Sequence, residues 1–142
     1  MGLNIKSIAA DLSKQNNGDW VETEWRGVRL KVKSTNYKAY TDACDQAVLD
    51  LKKTLGRQPY RSESTPIINR LVGTFLLLDW EGIDEGTTPL PYTPEVGMQY
   101  VTDTAYQAFA DQVIFAAMKV GVGEAKFNET AIKNSAAPSA TI

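Results

Sequence analysis

Two short stretches near the N-terminus alternate between apolar and polar residues. They lie within residues 20–33 and are separated by Arg26-Gly27. Alternation with a period of two predicts a β-hairpin with one buried face and one solvated face. A two-residue turn would pair Trp25 with Val28, Thr23 with Leu30 and Val21 with Val32. A longer loop would change this register. Because an isolated hairpin is only marginally stable in water, its apolar face is expected to pack on helices or on another subunit.

Most of the remaining chain has helical spacing. Apolar residues recur every three or four positions in four segments, which predicts amphipathic helices. These segments span about 35–55, 66–78, 94–101 and 103–120. The second segment is apolar almost all round, so it is expected at the centre of the packing. The last two segments form either separate helices or one helix with a kink.

Capping residues mark the predicted helix ends. Ser34 or Thr35 is expected to cap the first helix, and Gly56 to end it in a left-handed conformation. Thr65-Pro66 and Thr93-Pro94 each place a capping side chain directly before a proline, which is the favoured order at a helix start. The second and third helices are therefore predicted to begin at these two pairs.

These elements predict an α+β fold that is mostly helical. The N-terminal β-hairpin packs on a bundle of about four helices, in a single globular domain over residues 20–133. Residues 1–19 are predicted to form a flexible N-terminal arm or one short amphipathic turn, and residues 134–142 a flexible, disordered tail. A chain of 142 residues is long enough to bury a core without disulfides or metal ions.

The chain has no histidine and one cysteine, Cys44. This composition excludes disulfide and zinc frameworks, and it removes the Ser-His and Cys-His pairs of nucleophilic catalysis. Cys44 lies on the apolar face of the first predicted helix, where a buried thiol is expected. Four carboxylates occur between Asp79 and Glu85, but their spacing does not match an EF-hand loop. We therefore expect no enzyme activity, no catalytic residue, no cofactor and no metal site.

Charge is distributed unevenly along the chain, although the formal net charge is only −2. Residues 1–70 carry 12 Lys/Arg and 8 Asp/Glu, whereas residues 71–142 carry 3 and 9. This polarity suits intramolecular packing, head-to-tail association or a basic partner. Basic residues on the second strand are balanced by glutamates on the first, so no nucleic-acid partner is expected. No apolar run approaches the ~18 residues of a membrane span and no signal-peptide pattern occurs, so we expect a cytoplasmic protein without a membrane partner.

Residues 76–95 join the second and third predicted helices. The segment starts as an apolar run, breaks into an acidic, glycine-rich turn around Trp80 and ends at a proline-marked helix start. Trp80 and Tyr92 are expected either to pin this turn over the core or to present aromatic surface to a partner. On the last predicted helix, Phe115 and Met118 lie off the main apolar stripe. Either this helix face or the hairpin edge, with its unpaired backbone groups, is a candidate for contacts between copies or with a partner. Trp80, Tyr92, Phe115 and Met118 are therefore the candidate partner-binding residues.

The same segment contains an ordered and unusual run of residues. It reads Asp79-Trp80-Glu81-Gly82-Ile83, then an acidic glycine spacer, then Pro89-Leu90-Pro91-Tyr92-Thr93-Pro94-Glu95. This order resembles the signature of the tail assembly chaperones of long-tailed bacteriophages, and the resemblance extends over about residues 66–120. It implies a non-enzymatic protein that coats the tape measure protein, keeps it soluble and recruits the tail tube protein. It also implies action in the host cytoplasm and absence from the mature virion, and the role favours self-association.

Three other classes of protein remain open at this point. A structural virion protein, such as a tail terminator or head-tail connector, would be found in purified particles and would form rings. A carboxylate-based enzyme or metal-binding domain would hold an ion at the turn between Asp79 and Glu85. A nucleic-acid binder would lose affinity steeply as the salt concentration rises.

Overall fold

The structure is a computed structural model that describes residues 2–122. Its helices are α1 (Leu12–Asn17), α2 (Lys38–Leu55), α3 (Arg61–Phe75), α4 (Pro94–Thr102) and α5 (Gln107–Lys119). Its strands are β1 (Asp19–Glu22), β2 (Arg29–Val32), β3 (Leu77–Glu81), β4 (Asp84–Glu85) and β5 (Thr88–Pro89). Short 3-10 turns occupy Ile5–Ile8 and Thr104–Tyr106. The predicted α+β, mostly helical fold is confirmed, whereas the predicted tail over 134–142 lies outside the described residues.

A three-stranded antiparallel sheet and four of the helices enclose the core. The strand order is β1-β2-β3, and β4 and β5 form a separate two-stranded ribbon. Leu30 and Val32 of the central strand β2 are fully buried with Val72 of α3, Val101 of α4 and Val113 of α5. Burying one such aliphatic side chain contributes about 1.5–3 kcal/mol to the free energy of unfolding. The core therefore lies between the sheet and helices α3 to α5.

The N-terminal hairpin is present, but its predicted register is wrong. The observed pairs are Asp19 with Val32, Trp20 with Lys31, Val21 with Leu30 and Glu22 with Arg29. The connection between the strands is longer than two residues. The Val28 N–H donates to the Trp25 carbonyl at 3.0 Å and closes a β-turn in which Gly27 has a φ of 80°. A positive φ at the third position of a turn is readily adopted by glycine. This turn sets the register and leaves Arg26 outside the left-handed region.

The apolar run after Phe75 forms a strand, where the second predicted helix was expected to continue to residue 78. Strand β3 pairs antiparallel with β2, and a β-bulge leaves Leu78 without a partner. In a regular strand, residues three positions apart point to opposite faces of the sheet. The extra residue of the bulge reverses this, so Leu77 and Trp80 both reach the core. A short apolar run is compatible with either a buried helix or a buried strand. Pairing with β2 decides in favour of the strand.

Helix α3 begins at Arg61, so the predicted start at Thr65-Pro66 is wrong. The Glu63 carboxylate accepts the Tyr60 N–H at 2.8 Å and pairs with Arg57 at 2.8 Å. A carboxylate that returns to the residue before the helix satisfies a backbone donor that has no partner within the helix. Pro66 therefore lies inside α3, on its exposed side.

Helix α2 begins at Lys38, later than the predicted start near residue 35. The Ser34 hydroxyl accepts the Asn36 N–H at 3.0 Å in a turn that precedes the helix, so neither Ser34 nor Thr35 caps α2. The predicted end is confirmed, because Gly56 follows α2 in a left-handed conformation with a φ of 69°. A serine side chain serves local turns as readily as helix caps, which is why the predicted start was too early.

The start of α4 is confirmed, whereas the last predicted helix is shorter than expected. Thr93 accepts the Val96 N–H at 3.1 Å, and Pro94 occupies the first turn of α4. Asp103 is extended, with a ψ of 122°, so α4 and α5 are separate helices and α5 begins at Gln107. None of the helices within residues 2–122 combines the length and the apolar character that crossing a bilayer requires.

Residues 11–18 pack against the rest of the fold, which differs from the expected flexible arm. The Asp11 N–H donates to the Gly121 carbonyl at 2.7 Å, and the buried Gln15 amide donates to the Val120 carbonyl at 3.2 Å. The Gln15 carbonyl in turn accepts the Ser34 N–H at 3.0 Å. The last carbonyls of a helix lack partners within it, so the end of α5 offers acceptors that α1 uses.

Candidate functional site

Trp80 holds the segment after β3 against the core. Its side chain is only 6% exposed, and its indole N–H donates to the Leu90 carbonyl at 2.7 Å. The ring packs edge-on against Tyr92 and Phe109, with centroid distances of 5.1 and 5.6 Å. Such T-shaped pairs add about 0.5–1.5 kcal/mol beyond simple burial. This geometry fits the first of the two predicted roles of Trp80, which is to pin the turn.

Tyr92 fixes the other end of the same segment. Its hydroxyl donates to the Leu77 carbonyl at 3.2 Å, and its ring lies against α4 at Gly97. A Cβ atom at position 97 would lie 2.7 Å from the Tyr92 ring, so only glycine permits this approach. Desolvation, followed by the charges of Asp79 and Glu95, raises the pKa of the Tyr92 phenol. The phenol therefore stays neutral and keeps its donated hydrogen bond.

A solvent-open cavity of about 450 Å³ lies beside Trp80. We call it the aromatic groove. It forms where the hairpin turn, the β4–β5 ribbon and the connection between α4 and α5 meet. Its lining residues are Trp25, Val28, Trp80, Gly82, Ile83, Asp84, Glu85, Gly86, Leu90, Tyr100, Tyr106 and Phe109. The groove is thus assembled from segments that are far apart in the sequence.

The floor and the rim of the aromatic groove differ in exposure. Trp80 and Phe109 are buried and form the floor. Trp25 at the hairpin turn is 39% exposed and Tyr106 is 47% exposed, so aromatic surface faces solvent at the rim. Tyr106 is held edge-on against Tyr100 with a centroid distance of 4.9 Å. Contiguous exposed aromatic surface around a cavity is typical of a binding site for another molecule.

The charged residues that line the groove are both acidic. Asp84 and Glu85 are exposed on strand β4, and no lysine or arginine from the described part of the chain lines the cavity. The Tyr100 hydroxyl donates to the Glu85 carboxylate at 3.5 Å. Desolvation, followed by the charge of Glu85, raises the pKa of the Tyr100 phenol. The groove therefore combines an apolar interior with a negatively charged edge.

The acidic cluster that the sequence suggested as a metal site is dispersed in the structure. The Asp79 carboxylate accepts the Trp80 N–H at 2.7 Å, and Glu81 forms an ion pair with Arg29 on the neighbouring strand. This pairing lowers the pKa of Glu81. Within residues 2–122, no group of three or more His, Cys, Asp or Glu side chains is arranged to hold a metal ion.

Cys44 is half-buried and packs against the core beside Tyr40. Burial raises the pKa of the Cys44 thiol, although the hydrogen bond with Tyr40 opposes this effect. Burial also raises the pKa of the Tyr40 phenol. A thiol with a raised pKa is a poor nucleophile at neutral pH. The position agrees with the expected structural role of Cys44 on the apolar face of α2.

The four candidate partner-binding residues fall into two places. Trp80 lines the aromatic groove, and Tyr92 does not line it but packs edge-on against Trp80. Phe115 and Met118 are 49% and 55% exposed on the solvent side of α5, and neither lines the groove. The predicted partner contacts of all four residues stay predictions.

Sequence reasoning missed most of the groove. Three of its lining residues, Trp25, Tyr100 and Tyr106, come from the hairpin turn, α4 and the 3-10 turn, which no sequence motif connects. Ile83 and Leu90 belong to the motif of residues 79–95, and this motif was the one signal in the sequence that pointed to the groove. The groove became visible only when β3 was placed beside the hairpin.

Comparison with known proteins identifies a family. The model of the family described as YdaY prophage protein matches residues 33–134, which is more than half of the chain. The matched range begins directly after β2, so Trp25 and Val28 of the groove lie outside it. No curated protein and no solved structure was found to match the chain. The chain therefore belongs to the YdaY prophage protein family and is of phage origin.

Proposed function

We propose that this protein is a tail assembly chaperone of a bacteriophage, which binds the tape measure protein and helps to recruit tail tube subunits. Support comes from its membership of a prophage protein family and from the resemblance carried by residues 79–95. On this proposal the protein acts in the host cytoplasm and is not retained in the mature virion. It acts by binding and catalyses no reaction.

The aromatic groove is the observation that carries the proposal. Its wall is built by the same segment that carries the resemblance, through Trp80, Ile83 and Leu90. Among residues 2–122, no lysine, cysteine, serine or histidine lines it. A cavity with a largely apolar interior is suited to burying side chains of another polypeptide. This favours a binding protein over an enzyme.

The size of the groove is suited to weak contacts that are repeated many times. A cavity of about 450 Å³ admits one or two large side chains. Their burial supplies about 2–5 kcal/mol, from which the entropy cost of association must be subtracted. A single contact is therefore weak. A long helical partner offers many such contacts, and copies of the chaperone that also bind each other would gain affinity through multivalency.

Self-association is the second part of the proposal. Phe115 and Met118 place apolar surface on the solvent side of α5, away from the groove. Two copies that bury these side chains against each other would leave both grooves free for the tape measure protein. Sedimentation equilibrium over a range of concentrations tests this point. We expect reversible association that is reduced in a variant carrying Phe115→Ser and Met118→Ser, while a monomer at all concentrations would refute it.

Co-expression tests the main proposal. The protein is produced together with the tape measure protein encoded by the same prophage, and the soluble fraction of the tape measure protein is measured. We expect it to become soluble and to copurify with the chaperone. A groove variant with Trp25→Ser and Tyr106→Ser should lose this effect, because both rings lie exposed at the rim. The matched control is Leu49→Ser, which removes an exposed apolar side chain from α2, outside the groove.

Two results would overturn the proposal. The first is a tape measure protein that remains insoluble at every ratio of the two proteins. The second is recovery of this protein from purified virions in a fixed ratio to the tail proteins, which would support a tail terminator or connector. Mass spectrometry of purified particles measures the second result directly.

A further inference from the structure

The aromatic groove has carboxylates at its edge, and these are not needed for burying an apolar side chain in its interior. Asp84 and Glu85 are both exposed, and neither forms an ion pair within residues 2–122. The neighbouring carboxylates Asp79 and Glu81 are occupied, by the Trp80 N–H and by Arg29 respectively. Glu85 accepts the Tyr100 hydroxyl at 3.5 Å but stays exposed, so Asp84 and Glu85 both present negative charge to solvent at the groove.

Most of the residues that line the groove belong to an acidic part of the chain. Residues 71–122 contain seven Asp/Glu and a single basic residue, Lys119. Lys119 does not line the groove, whereas Asp84 and Glu85 do. Charges around a low-dielectric cleft act together and attract a partner of opposite charge. A polypeptide that fits this site needs an apolar side chain for the interior and a cation for the edge.

We infer that the aromatic groove binds a polypeptide segment in which an aliphatic or aromatic side chain is flanked by lysine or arginine. The inference rests on the proposed function and specifies the chemistry of the partner. The apolar side chain enters between Trp25 and Tyr106 and meets the floor formed by Trp80 and Phe109. The flanking cation lies at the carboxylates of β4. Charge complementarity at the rim determines which partners bind and how fast they associate.

Binding of a designed peptide tests the inference without any phage partner. The probe is a fluorescein-labelled amphipathic helix made of leucine and lysine, and its control has glutamate in place of each lysine. Fluorescence anisotropy measures the affinity of each peptide for the whole protein at low and at high salt. We expect the lysine peptide to bind and the glutamate peptide not to bind. The affinity of the lysine peptide should fall with salt, because exposed charges are screened.

Charge variants locate the binding site. Asp84→Asn with Glu85→Gln should weaken the affinity for the lysine peptide about fivefold, which is the effect expected for the loss of two exposed ion pairs. The matched control, Asp45→Asn with Asp50→Asn, removes two exposed carboxylates from α2 and should leave the affinity unchanged. Tyr106→Ser should also weaken binding, because it removes apolar surface from the rim. Circular dichroism checks that each variant is folded.

Several results would overturn the inference. If the two peptides bind equally well, charge does not contribute to recognition. If the Asp84/Glu85 variant binds the lysine peptide with unchanged affinity, the peptide does not bind at the carboxylates of β4. Loss of binding in the Phe115→Ser/Met118→Ser variant alone would assign the peptide to α5, which refutes the inference and leaves the proposed function standing. Conversely, groove-dependent binding of the lysine peptide with no effect on tape measure solubility would support the inference and refute the proposed function.

Discussion

Replacing Gly82 by alanine tests the close approach of two turns that shapes the groove. Gly82 follows β3 with a φ of 84°, and a Cβ atom at this position would overlap the carbonyl oxygen of Gly27 in the hairpin turn. It would also lie 2.9 Å from the Gly27 carbonyl carbon and 3.2 Å from the Val28 Cα atom. Backbone atoms cannot move aside as a flexible side chain can. The two turns must therefore separate to admit the methyl group.

Gly86 provides a matched control in the same segment. It has a φ of 62°, and a Cβ atom there would meet nothing within 4 Å. A left-handed conformation costs alanine about 1–2 kcal/mol, partly offset by about 0.4–1 kcal/mol from its restricted unfolded chain. Gly86→Ala should therefore lower the free energy of unfolding by about 1 kcal/mol or less. Gly82→Ala should lower the free energy of unfolding by the same amount and by about 1–3 kcal/mol more, because the methyl group is overpacked against the Gly27 carbonyl.

Urea unfolding measures this difference. Far-ultraviolet circular dichroism and tryptophan fluorescence give the midpoint and the m value for each variant, and an unchanged m value assigns the midpoint shift to stability. We expect Gly82→Ala to be the less stable variant by about 1–3 kcal/mol. If the two variants agree within about 0.5 kcal/mol, the scale of an ordinary surface substitution, the close approach of the turns is refuted.

Two further predictions concern the helix starts. Thr93→Ala removes the hydrogen bond from the Val96 N–H at 3.1 Å and should lower the free energy of unfolding by about 1 kcal/mol in urea, whereas Thr93→Ser should restore it. For Glu63, the hydrogen bond from Arg57 and then that from the Tyr60 N–H hold the pKa below its ordinary value of 4.5. As the pH falls below 4.5, the unfolded chain binds more protons than the folded one. The stability that the ionised Glu63 carboxylate contributes is therefore present above pH 4.5, and it is lost as the pH drops through the pKa of Glu63 in the folded protein. Glu63→Gln should accordingly unfold with a weaker pH dependence in this acid range, and an unchanged dependence in urea titrations would contradict the assignment.

Local signals in the sequence correctly predicted helix boundaries that are set by one or two adjacent residues. Thr93-Pro94 marks the start of α4 and Gly56 the end of α2, because capping and left-handed glycine are properties of one or two residues. Thr65-Pro66 looks like an equally good start, yet Glu63 caps α3 one turn earlier. Two competing caps within one turn cannot be ranked from the sequence alone.

Long-range pairing explains what the sequence did not predict. The run Leu76 to Trp80 fits a helix by composition, and only the hydrogen bonds to β2 make it a strand. The hairpin register depended on whether Gly27 ends a two-residue turn or lies inside a longer loop. The groove depends on both outcomes, because Trp25 and Ile83 meet only when β3 lies beside the hairpin. Its chemistry was therefore hidden although several of its residues, Trp80, Ile83 and Leu90 among them, belong to the motif of residues 79–95.

The bonds that join Gln15 to Val120 and Asp11 to Gly121 have a consequence for biosynthesis. A nascent polypeptide cannot form them until α5 has left the exit tunnel of the ribosome. Domains generally fold as units during translation, and contacts of large sequence separation form late. The apolar sides of α2 and α3 therefore emerge before their cover exists, and the core closes only when residue 121 has left the exit tunnel.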